Sequence, residues 1–153
     1  MEVLVAFLIG GVNCGIMKQW IFGGTTPAAV AGDVAMTVLR VATGGCMAYL
    51  HGVDKVPPSE GFVGFVGKLG FPMPELFAWG AGLAELVCGI TLALGFATRA
   101  SAAFILSTML VAIFIAHGSD PLEDKELAIL YAAALLPFLV GGSGRYAIDR
   151  LIK

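Results

Sequence analysis

Charged side chains are scarce in this sequence: Asp, Glu, Lys and Arg make up only 13% of its 153 residues, about half the share found in an ordinary soluble domain. Nine Lys and Arg stand against eleven Asp and Glu, for a net charge of -2. That balance leaves no basic stripe for nucleic acid and excludes this class of partner. Cysteine is sparse as well. Cys14, Cys46 and Cys88 lie far apart in apolar segments, with no CxxC pair and no Cys/His spacing of the zinc-site kind, so no metal site is expected. The three are read as small packing residues, because free cysteine behaves as a buried hydrophobe. The N-terminal MEVLVAFLIGG lacks the basic region and cleavage pattern of a secretory signal, so it is expected to be retained. Met17 offers an alternative start.

Apolar side chains fill the rest, at 58% hydrophobic residues and a mean hydropathy of +0.91. A soluble domain this small keeps a large surface relative to its volume and cannot hide so much oil. Lipid is the expected solvent. A spanning helix needs about 20 mostly apolar residues, and four stretches qualify: residues 34–53, 75–96, 100–117 and 126–142. The fold class is therefore all-α, an integral membrane bundle of four antiparallel transmembrane helices. A fifth apolar segment, residues 3–17 with residues 20–22 just beyond, is shortened by Asn13, Gly15 and Lys18. Residues 1–33 are read as this N-terminal segment and a linker, and residues 34–153 as the membrane domain.

The connections carry helix punctuation. In SDPLEDKE, Asp120 is expected to cap the last helix, with Pro121 at its first position and Glu123 at its third. Thr98 or Ser101 is expected to cap the third. Pro137 falls inside the fourth span, where a bend is expected. Between the first two spans, Phe62, Phe65, Val66 and Leu69 recur at helical spacing, while Gly61, Gly64, Gly67 and Gly70 recur every third residue. This pattern predicts a short interfacial or re-entrant helix. If the four core helices cross in turn, Lys18, Arg99, Arg145, Arg150 and Lys153 share one side and Lys55, Lys68 and Lys125 the other. The excess of basic residues places the C-terminus in the cytoplasm.

Few charges lie within the apolar runs, and those few carry the chemistry. Glu85 sits about ten residues into the second span, roughly 15 Å deep. A lone carboxylate there is costly and needs a proton, water or a cation. Arg40, about six residues into the antiparallel first helix, is the expected partner, in an Arg40–Glu85 pair that fixes helix register or lines a ligand cavity. His51 closes the first core helix and His117 the third, each followed by Gly, as polar helix ends or as donors to a quinone carbonyl. Two facing histidines can also bind haem iron, but no CxxCH accompanies them and haem is not expected. Glu126, Lys55 and Asp54 fall on the same side and are candidates for a polar mouth above Glu85. The small residues Gly10, Gly11, Gly44, Gly45 and the run YAAALL offer surfaces for close approach of neighbouring helices.

These residues in order resemble the DoxX family of small bacterial and archaeal membrane proteins. The likeness runs through VLRVATGGCMAYLHGVDKV, GFVGFVGKLGFPMPELFAWGAGLAELVCGITLALGFATRASA, MLVAIFIAHG, ELAILYAAALLPFLVGG and GRYAID. Residues 1–33 lie outside it. The resemblance implies a four-helix bundle in the cytoplasmic membrane and a link to quinone-reducing oxidoreductases. It carries over onto Arg40, His51, Lys55, Glu85, Arg99, His117 and Glu126. Two functions are then expected candidates. One is a redox subunit in which a quinone head group meets His51 or His117 while Glu85 or Glu126 exchanges protons. The other is a non-catalytic accessory subunit packed within a larger membrane assembly. No flavin, nicotinamide or iron–sulfur motif is encoded, so the redox reading requires a catalytic partner.

Overall fold

The computed structural model describes residues 28–152, and among them every regular element is helical. The chain divides into two units, Met1–Ala35 and Met36–Lys153. The expected apolar segment at residues 3–17 lies outside the described residues. Helix α1 (Ala28–Cys46) runs on through a wide π turn (Met47–Gly52) and a tight 3-10 turn (Val53–Lys55). Helix α2 (Glu60–Lys68) is short, α3 (Pro74–Leu94) and α5 (Leu122–Gly141) are long, and α4 (Thr98–Val111) ends in a second π turn (Ala112–Ala116).

Three helical runs are long and apolar enough to cross a bilayer: Val30–Lys55, Pro74–Leu94 and Thr98–Ala116. Helix α5 opens with Glu123, Asp124, Lys125 and Glu126 within its first five residues. Its uncharged stretch, residues 127–141, is about 22 Å long at 1.5 Å per residue, and it continues through Pro137 to Gly141. Burial is distributed as lipid solvation requires. Val38, Phe104, Phe114 and Val140 are exposed, whereas Arg40 and Glu85 retain 2% and 3% of their accessible surface. Met47, Leu92, Ala102, Ile105, Met109, Leu135 and Phe138 form the core, with contributions from α3, α4, α5 and the first π turn. Two hydroxyls within α4 bond locally, Ser107 to the Phe104 carbonyl at 2.6 Å and Thr108 to that of Ile105 at 2.8 Å.

Small residues set the register between α1 with its π turn and α3. Any Cβ added at Gly44 would meet the Gly89 carbonyl and the Ala93 backbone, at Gly52 the Leu86 backbone, and at Gly82 the Lys55 carbonyl. Gly44, Ala48 and Gly52 recur every four residues and so form one stripe, which lets the two antiparallel backbones touch. Gly45 and Gly80, by contrast, have nothing among the described residues within 4 Å of a built Cβ. Gly44 thus packs inside the chain and is not a surface for a neighbour, while Gly10 and Gly11 lie outside the described residues.

At the opposite end from Lys55, the C-terminal turn locks α3 to α4. Gly95 ends α3 at φ +74°, and a Cβ there would overlap the Arg40 guanidinium. Arg40 donates from Nη1 to the Leu92 carbonyl at 3.3 Å and from Nη2 to the Tyr146 carbonyl at 2.6 Å. Its Nε is buried without a hydrogen-bond partner among the described residues. Asp149 accepts from the backbone N–H of Ala97 and Thr98 at 2.7 and 3.0 Å and from the Thr98 hydroxyl at 2.8 Å. The cap expected from Thr98 or Ser101 therefore comes from Asp149, about 50 residues downstream. Ser101 instead bonds Thr91 Oγ1 at 2.8 Å, joining α4 to α3. Asp149→Ala is expected to cost about 1–2 kcal/mol, as loss of an N-cap does, seen as a lower thermal midpoint in detergent. Asp149→Asn, which keeps one acceptor, should lose less.

One other cap also differs from expectation. Helix α5 starts after Pro121 with no side-chain cap, because Asp120 turns to His117 Nδ1 at 2.9 Å. The expected loop helix is present as α2, capped by the Ser59 hydroxyl, which accepts from Phe62 N–H at 3.2 Å.

Candidate functional site

The seam between α1 and α3 carries an ion pair where it opens. Lys55 Nζ donates to Glu85 Oε2 at 2.5 Å, with the Glu85 side chain 4% and the Lys55 side chain 30% exposed. Glu85 is the twelfth residue of the 21-residue α3, about 16 Å from its start. Lys55 closes the 3-10 turn. It reaches so deep because its own carbonyl packs on Gly82, three residues before Glu85. The Phe62 ring centroid lies 5.6 Å from the Lys55 ammonium, a cation–π contact that brings α2 to the mouth of the site.

The expected Arg40–Glu85 pair is not formed. Gly52 lies against Glu85 and Leu86, and Gly44 against Gly89 and Ala93. The small-residue register thus sets Glu85 opposite a residue twelve positions beyond Arg40, about 18 Å along the helix. Arg40 caps the α3 carbonyls instead, a favourable place for a cation at a helix C-terminus. The partner of Glu85 was among the candidates only as a member of the polar mouth.

His51 lies four residues before Lys55, half-buried in the first π turn. Its ring meets Tyr131 of α5 edge-on, with centroids 5.5 Å apart and planes at 86°. Its ring nitrogens have no hydrogen-bond partner among the described residues. His117 caps the second π turn and pairs with Asp120, both side chains being about two-fifths exposed. Glu126 and Asp54 are exposed, and among the described residues no hydrogen bond or ion pair joins either to the Lys55–Glu85 pair. Lys125 donates to the Gly118 carbonyl at 2.9 Å. Both π turns stand at the Lys55 end of their helices, and such wide turns free backbone geometry next to functional residues. No group of three or more His, Cys, Asp or Glu is placed to hold a metal ion among the described residues.

Asp149 had no local signal as a cap. Its clue was the pairing of ATR at residues 97–99 with an acid near the C-terminus, which only the fold joins.

The DoxX family model matches residues 35–118, which takes in Arg40, His51, Lys55, Glu85 and Arg99. The chain is 26% identical over 121 residues to a Bacillus subtilis (strain 168) protein named "Putative oxidoreductase CatD", covering 78% of this chain and 88% of that one. It is 39% identical over 114 residues to an uncharacterized protein of Haemophilus influenzae, covering 67% of this chain and 80% of that one. No solved structure matches with significance. By the matched span, more than half its length, and by its helices able to cross a bilayer, the chain is a membrane protein of the DoxX family.

Proposed function

We propose that this protein is a quinone-linked subunit of a redox complex in the cytoplasmic membrane. It crosses four times through α1, α3, α4 and α5, with its C-terminus in the cytoplasm. The observation that carries the reading is the buried Glu85 carboxylate held by a partly exposed Lys55, with His51, whose ring nitrogens have no hydrogen-bond partner among the described residues, four residues before Lys55 in the chain. Reduction of a quinone to a quinol takes two electrons and two protons, one proton for each carbonyl oxygen. Lys55 and His51 present N–H donors to such an oxygen, and Phe62 offers an apolar face for the ring. Glu85 accepts or supplies a proton through Lys55. The electrons come from a partner subunit carrying a redox centre, in keeping with a sequence that shows no flavin, nicotinamide or iron–sulfur motif. The name of the Bacillus subtilis relative, "Putative oxidoreductase CatD", supports an oxidoreductase setting.

An accessory role without catalysis is the second reading. It is favoured by Gly45 and Gly80, which leave open space on the helix surface for a neighbouring helix. Quinol-dependent dye reduction by the complex purified in mild detergent separates the two. On the redox reading Glu85→Gln lowers the rate about 100-fold, the lower range for loss of a general acid–base, and His51→Ala also lowers it, while the complex stays assembled. Unchanged rates in both variants support the accessory role.

A further inference from the structure

We propose that the groove between the start of α4, the end of α5 and the C-terminal turn seats the phosphate of an anionic glycerophospholipid, gripped by Arg99 and Arg150. The groove has a volume of about 720 Å³, and both arginines line it, with Ser143 and Gly144 of the loop after α5. The N-terminus of α4 is not the binding element, because Asp149 already accepts from its Ala97 and Thr98 N–H groups. The guanidinium groups are. Arg99 is anchored by one bond, Nη2 to the Val140 carbonyl at 2.9 Å, which fixes its planar fork while leaving other N–H groups to donate. Its Nε lies over Gly142, 3.6 Å from where a Cβ would stand. The Arg150 side chain is exposed, and its guanidinium has no partner among the described residues. Two such forks suit the oxygens of a phosphate, which arginine binds in bidentate fashion.

The rim of the groove selects a lipid over a free anion. Phe96 and Ile152 line it and are 45% and 68% exposed, and the adjoining Leu151 is 85% exposed. These apolar side chains border the ends of two membrane-crossing helices, where acyl chains begin and head groups lie. A soluble phosphate would use the arginines and leave this rim bare.

The test uses the full-length protein, stripped of lipid in a neutral detergent. It is titrated with phosphatidylglycerol, with phosphatidylcholine and with inorganic phosphate, and bound species are counted by native mass spectrometry. Phosphatidylglycerol is expected to bind in preference to phosphatidylcholine. Arg150→Gln, which removes no contact within the fold, should weaken that binding about fivefold, the change expected for one cation at a membrane surface. Arg99→Gln together with Arg150→Gln should abolish the preference. Since Arg99 also caps α5, the single Arg150 variant decides the matter if the double variant fails to fold. Equal binding of both lipids, or unaltered phosphatidylglycerol binding by Arg150→Gln, overturns the proposal. Inorganic phosphate displacing the lipid at matched concentration overturns the lipid assignment in favour of a free-anion site.

Discussion

Lys55→Met is expected to destabilise the protein by about 3–5 kcal/mol, because it strands the Glu85 carboxylate in a nearly closed apolar site. Glu85→Gln alone should cost less. Lys55 is partly exposed and keeps a cation–π contact with Phe62, so its ammonium can swing outward along a flexible stem. Joining the two changes removes both charges together, and the double variant should recover most of the loss, as replacement of a buried ion pair by neutral groups often does. Thermal unfolding of the four proteins in one detergent gives the coupling directly. An additive double variant would mean that Glu85 depends on some other partner.

The second large effect concerns a residue with no side chain at all. Gly52→Val should separate α1 from α3, since even a Cβ at Gly52 would stand 2.6 Å from the Leu86 backbone and 2.9 Å from the Glu85 carbonyl carbon. Backbone cannot turn aside as a flexible side chain can. Overpacking of a close-packed interior costs about 1–3 kcal/mol and at times more, and here the displaced helix also draws Lys55 away from Glu85. Gly45→Val is the matched control, one residue from the Gly44 stripe with open space around it. Its midpoint should stay near that of the unaltered protein. Equal losses at both positions would show that the seam is not set by small residues.

The long helices were legible because each is a long apolar run, and Glu85 stood out because a carboxylate in such a run needs a partner. The identity of that partner was not legible. By residue depth in the two runs Arg40 was expected within about two helical turns of Glu85, whereas the fold sets it at the far end of α3, on the Leu92 carbonyl. What decides between Arg40 and Lys55 is the register of α1 on α3, and that register depends on where Gly44 and Ala48 meet Gly89, Gly52 meets Leu86, and Gly82 meets Lys55. A glycine acts there by what it lacks, and no apolar periodicity reveals which glycine faces which. The helix caps failed for a related reason. Asp120 and Thr98 match local capping patterns, but His117 takes the first, and Asp149 arrives from a remote turn to take the α4 terminus. Exposed Glu126 and Asp54 share an end of the molecule with the pair without a hydrogen bond or ion pair to it among the described residues, because shared depth does not fix a helix face.

Lys55, not Arg40, neutralises Glu85 inside the lipid-solvated bundle. Solid-state NMR of the labelled protein in bilayers measures this through the dipolar coupling between side-chain nitrogens and the Glu85 Cδ, assigned by its disappearance in Glu85→Gln. A strong coupling to the Lys55 Nζ is predicted, with none to the Arg40 guanidinium. A strong Arg40 coupling with no Lys55 signal would contradict the account.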